Sequence, residues 1–193
     1  MQKLTRADLL TLEAYHEQRA DMRRAVLAHK GKRKVFIGPH AGLYFEDRLT
    51  VQYQVQEMLR VERIFASAAI EEELEAYNPL IPDGGNLKAT FMLEYEDVAE
   101  RQAALSQLRG VENRVWLEVP GHGQVFGIAD EDLDRAAEDK TSAVHFLRFE
   151  LPVAAIIDFS RGAAVKLGID HPAYQAEVVL SSAVREALAA DFT

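Results

Sequence analysis

Four of the six histidines, His40, His122, His145 and His171, stand in or beside turns and strands instead of on polar helix surfaces. Imidazole nitrogens ligate iron, zinc or manganese and exchange protons near neutral pH, so this placement opens two chemistries: metal ligation and general acid–base work. His40, His122 and His171 each adjoin Gly, Pro or Asp, in the kind of connecting segment that carries sites. With Glu46 and Glu62 as oxygen donors they make up the candidate metal set. Spacing selects no metal, because the chain has neither a His-Glu-x-x-His helix nor paired Glu-x-x-His motifs. The plainer alternative is turn histidines hydrogen-bonded to backbone or solvated.

Charges inside apolar patterns form the second group. Arg19 interrupts the helical stripe Leu9, Leu12, Tyr15, Met22 and Val26, and Glu62 falls within the face of Val51, Val55, Met58, Leu59, Phe65 and Ala69. A buried charge needs a partner, so Arg19 and Glu62 are expected to be buried and to pair, as a structural link or as a perturbed carboxylate fit for proton transfer. His145 shares a strand face with Ala143, Leu147, Phe149 and Leu151 and is expected in the core; Arg148 is expected to be buried on the opposite face beside Glu150. Lys32, Arg33 and Lys34 are a candidate anion site, against the alternative of a cationic helix end closed by Gly31 as a C′ glycine. Asp130, Asp132 and Asp134 open like a calcium loop, but Arg135 and Thr141 replace its Gly and its bidentate Glu, so the run reads as a helix N-terminus. Phosphate-binding, dinucleotide and serine-elbow glycine motifs are absent.

The elements that must position these residues alternate between helix and strand periods. A helix over 6–29 is predicted from the Thr5–Asp8 capping pattern and the Leu4–Leu9 staple. Strands at 33–37 and 43–46 flank a Gly-Pro turn, and a long helix over 48–70 follows. Residues 77–86 read as a loop, 88–95 as a strand, and a helix capped at Asp97 ends at Gly110. A second hairpin, 114–119 and 124–128, leads into a short acidic-capped helix; then come a strand over 143–151, a helix over 152–162, a strand over 164–169 and a terminal helix with Pro172 in its first turn. The sum is one α+β domain over 1–193, a mixed or mainly antiparallel sheet of about six or seven strands with two β-hairpins, covered by helices.

Composition narrows the function. With no cysteine, the chain cannot ligate its own iron–sulfur cluster or use a thiol nucleophile. A net charge of −9 argues against nucleic acid, whose binding rests on phosphate neutralisation. No run approaches the roughly 20 apolar residues of a membrane helix, and no signal-peptide pattern opens the chain, so a cytoplasmic protein is expected.

Gly38-Pro-His-Ala-Gly-Leu-Tyr-Phe-Glu-Asp-Arg-Leu-Thr-Val-Gln-Tyr-Gln-Val-Gln-Glu-Met-Leu-Arg60 resembles an uncharacterised bacterial family, domain of unknown function 3501. So do Tyr77-Asn-Pro-Leu-Ile-Pro-Asp-Gly84, Lys140-Thr-Ser-Ala-Val-His-Phe-Leu-Arg-Phe-Glu150 and Gly168-Ile-Asp-His-Pro-Ala-Tyr174, which together span nearly the whole chain. The resemblance carries no catalytic residues. It implies a gene context beside rubrerythrin and an iron–sulfur oxidoreductase, and with it those proteins as partners.

Three functions follow as expectations. The first is an accessory or binding protein of an iron-dependent redox or peroxide-defence system, holding iron, zinc or manganese through His40, His122 or His171 with Glu46 and Glu62. The second is a small-molecule enzyme with a histidine and a carboxylate as acid and base, its pocket between the 77–86 loop and the histidine turns. The third is a structural module that forms a homo-oligomer.

Overall fold

Alternating apolar and polar residues make eight strands among the described residues, which are 2–129 and 141–192 of a computed structural model. In chain order they are β1 Lys34–Ile37, β2 Ala41–Glu46, β3 Asn86–Leu93, β4 Val115–Glu118, β5 Gln124–Phe126, β6 Val144–Glu150, β7 Lys166–His171 and β8 Tyr174–Val179. They form two antiparallel four-stranded sheets, β1-β2-β3-β6 and β5-β4-β7-β8. One core lies between them, with Leu43, Phe45, Phe91 and Phe149 from the first sheet and Val115, Leu117, Leu167 and Ile169 from the second. Each such side chain contributes about 1.5–3 kcal/mol by leaving water. Both seams between the sheets are stitched: Ile128 and Arg148 exchange backbone hydrogen bonds of 2.9 Å on one side, and Tyr174 reaches the end of β1 on the other.

The helices are α1 Leu12–Lys30, α2 Arg48–Val61, α3 Ser67–Tyr77, α4 Val98–Gln107, α5 Val153–Arg161 and α6 Ser182–Ala189. Part of the outer face of the first sheet is covered by α1, α2 and α3, through a second cluster that includes Val51, Val55, Leu59, Leu74 and Ile81. Phe159 of α5 and Leu188 of α6 close one end of the inter-sheet core.

Three elements differ from the sequence reading. The strand count is eight because Pro172 belongs to a tight turn, His171 to Tyr174, and β8 follows it; the terminal helix waits for its cap at Ser181. The expected helix over 48–70 breaks into α2 and α3 at Arg63, whose φ of 54° is left-handed, while Ile64 N–H bonds back to Leu59 O. The first helix starts at Leu12: the Thr5–Asp8 capping box is spent on a separate 3-10 turn, and Thr11 caps α1 by accepting from Ala14 N–H at 3.2 Å. Gly31 keeps a helical φ of −58°, so it is not a left-handed C′ glycine. The acidic run from Asp130 and the short helix expected after it lie outside the described residues.

Candidate functional site around His40

His40 sits in the turn between β1 and β2, and a residue of the other sheet fixes that turn. The Tyr174 hydroxyl donates to Ile37 O at 2.7 Å and accepts from the backbone N–H of His40 at 3.1 Å and of Ala41 at 3.2 Å. Gly38 is required beneath it. Its φ is +71°, and a Cβ there would stand 2.7 Å from the Tyr174 hydroxyl oxygen.

The His40 imidazole is held in one tautomer. Its Nδ1 lies 3.1 Å from Glu94 O, and a carbonyl only accepts, so Nδ1 carries the proton. In the neutral ring Nε2 is then a lone pair, and it has no hydrogen-bond partner among the described residues. The ring stacks on Tyr95 with centroids 4.1 Å apart and an interplanar angle of 15°. Burial holds the Tyr95 phenol above its ordinary range.

Beside this pair opens a cleft of about 800 Å³. Its floor takes Phe36, Met92 and Val144 from one cross-strand row of the first sheet, with Gly42 between Phe36 and Met92 in register, beyond the part the helices cover. Gly42 leaves the space over its position to the Tyr44 ring and the Glu94 carboxylate, since a Cβ there would stand 3.0 Å from each. The Tyr44 hydroxyl donates to that carboxylate, and burial followed by this bond raises the Tyr44 phenol. The Lys34 ammonium lies 4.0 Å from the Phe36 ring centroid and 4.5 Å from that of Tyr44. Glu94, Glu96 and Glu100 line the rim against the guanidinium of Arg101 and the neighbouring Lys34 ammonium, three carboxylates to two cations.

The remaining candidates lie elsewhere. His171 is buried with both nitrogens engaged: Nε2 donates to Arg109 O at 3.1 Å and Nδ1 accepts from Ala173 N–H at 3.2 Å. His122 pairs with Asp158 at 2.8 Å. Glu46 is buried under α2, where its carboxylate accepts from Thr50 at 2.6 Å, Thr90 at 2.8 Å and Gln54 at 2.9 Å. Among the described residues, no three His, Asp or Glu side chains gather in a way that could hold a metal ion. His145 is in the core as expected, its Nε2 3.0 Å from both Thr141 Oγ1 and Ser142 O. Arg148 pairs with Glu150 on the opposite face, but it is only half-buried and Glu150 is exposed, so it is not the buried charge expected, because among the described residues no element covers that end of the strand pair tightly enough to shut out water.

Three expectations are corrected. Glu62 is the exposed C-cap of α2, not a buried charge, because the chain turns left-handed at the next residue. Arg19 is half-buried instead of buried, and its partner is Glu57, held at 2.7 and 2.8 Å, with the Tyr15 hydroxyl donating to the same carboxylate at 2.7 Å. Arg19 foremost, with Tyr15 and Arg60, holds the Glu57 carboxyl down at about 2. Tyr15 and Arg19, four apart on one helix face, were the available signal for that carboxylate. The anion triplet also dissolves: Lys32 is exposed, Lys34 lies over rings, and Arg33 is fully buried and spent inside the protein. Arg33 donates to Phe45 O and Glu46 O at 3.1 Å, to Ala187 O at 3.0 Å, and to Asp191.

The family model described as "Protein of unknown function (DUF3501)" matches residues 3–192. Among solved structures, the chain is similar to a "novel protein of unknown function" from Burkholderia pseudomallei K96243, with 49% identity, full coverage of both chains and a TM-score of 0.94. No curated protein matches the chain.

Proposed function

The chain belongs to the family of unknown function DUF3501, and on that premise we propose, from its own side chains, a binding protein whose His40 cleft takes a small organic cation. The observation that carries the reading is the His40 ring, anchored through Nδ1 and stacked on Tyr95, with the Nε2 lone pair left over. An ammonium N–H donates to such a lone pair, and carboxylates at the rim favour its charge. The same lone pair makes His40 a general base toward a bound proton donor.

A second reading, iron, zinc or manganese on His40 Nε2, draws on the same atom; metal content of untagged protein purified without chelators tests it. The setting we propose is an accessory role in a cytoplasmic iron-dependent redox system, with rubrerythrin or the iron–sulfur oxidoreductase as partner. The gene context implied by the family resemblance supports it.

Calorimetric titration with benzylammonium and with benzoate tests the cation reading. Benzylammonium is expected to bind, benzoate is not, and His40→Ala and Glu94→Gln are each expected to weaken the ammonium about tenfold, the loss of one charge-assisted contact. Equal binding of both probes, or ammonium binding untouched by both substitutions, would overturn it.

A further inference from the structure

The stacked His40–Tyr95 pair is a partition as well as a wall. On its other side lies a second depression, of about 520 Å³, and Pro39, His40, Tyr95 and Glu100 border both spaces. The two spaces differ in chemistry. The first has the carboxylates Glu94 and Glu96, with Arg101, over a floor of Phe36, Met92 and Val144. The second is lined by the methyl groups of Ala103, Ala104, Ala173 and Ala176, with the neutral amides of Gln107 and Gln175. Small side chains brought by α4 and β8 leave room for an apolar group, and the amides carry no charge to desolvate.

We propose that the ligand is an amphiphilic amine of two parts, its ammonium head in the acidic space at His40 and its apolar tail across the partition on the alanine-lined surface. The inference rests on the cation reading above and adds the class of molecule. Glu100, on the border of both spaces, stands where head and tail join. Tyr174 serves both sides, since it lines the second space and its hydroxyl fixes the turn that carries His40.

The test compares benzylammonium with 4-phenylbutylammonium by amide NMR titration of the full chain, in wild type and in Ala103→Leu. Ala103 is exposed, so the larger side chain fills the second space without entering the core. The longer amine is expected to bind about tenfold tighter, the effect of burying roughly two methylenes, and to shift the amides of Ala103 and Gln107 that the shorter amine leaves alone. Ala103→Leu is expected to abolish that advantage and to leave benzylammonium unchanged. Two amines of equal affinity and equal footprint would overturn the two-part ligand while leaving the cation reading standing. Binding of neither would overturn both.

Discussion

Asp191 is a carboxyl group whose ionisation the fold resists, and replacing it with Asn tests the balance of forces there. It lies in the final 3-10 turn with its side chain 1% exposed; Oδ2 accepts from Arg33, and Oδ1 has no partner among the described residues. Burial raises its carboxyl from an ordinary 3.8 to about 6, against the opposing pull of the Arg33 guanidinium and with added repulsion from Asp47. Asp47 shares that guanidinium at 3.6 Å and is itself bound by His29 at 2.5 Å. Because the folded value lies above the unfolded one, the native state keeps a proton that the unfolded chain releases. Stability therefore falls as pH rises from about 4 through about 6 and is level above. A shift of about two units corresponds to about 3 kcal/mol at pH 7.5. Asn matches the protonated acid in size, still accepts from Arg33 and cannot ionise. Asp191→Asn should equal wild type near pH 4, exceed it by about 3 kcal/mol at pH 7.5, and gain about 1–2 kcal/mol of that between pH 5 and 7.5. Urea unfolding followed through the fluorescence of the one tryptophan, Trp116, measures this. A variant less stable than wild type at pH 7.5 would refute the reasoning, because the ion pair with Arg33 would then outweigh the cost of burial.

Glu57→Ala should lower stability by about 1–2 kcal/mol by releasing Arg19 and Tyr15, whereas Glu62→Ala should stay within about 0.5 kcal/mol, and thermal melts of both distinguish the two carboxylates. The Glu57 contribution is present above its ordinary 4.5 and is lost as pH falls toward about 2, so wild type and Glu57→Gln should converge in acid. Tyr174→Phe should cost about 1–3 kcal/mol and shift the ¹⁵N resonances of the His40 ring; unaltered His40 signals would exclude Tyr174 as the latch of that turn. His171→Ala should cost about 1–3 kcal/mol by leaving Arg109 O and Ala173 N–H unpaired, while His40→Ala should leave the melting temperature nearly unchanged, and a His171→Ala protein as stable as wild type would show those bonds to be replaced by water.

Period-two and capping signals carried most of the strands and the caps at Asp97 and Gly162, because those depend on neighbouring residues and backbone sterics. The failures share one cause, competition between a local rule and a longer-range one. Pro172 satisfies the first turn of a helix, yet Tyr174, Ala176 and Val178 alternate inward as a strand, and pairing with β7 decides in favour of the strand. Glu62 continues the apolar face of α2 only if the helix continues, and the left-handed residue at Arg63 ends it first. The site shows the same division. His40 was legible as a histidine in a Gly-Pro turn; Tyr95, 55 residues further on, and Tyr174 were not, because register and the seam between sheets bring them there. Sequence spacing grouped His40 with His122 and His171 because all three share a kind of segment. Hydrogen bonding separates them: His171 has both nitrogens bound within the chain, His122 is held by a carboxylate, and His40 is held through Nδ1 by a backbone carbonyl, its Nε2 having no hydrogen-bond partner among the described residues.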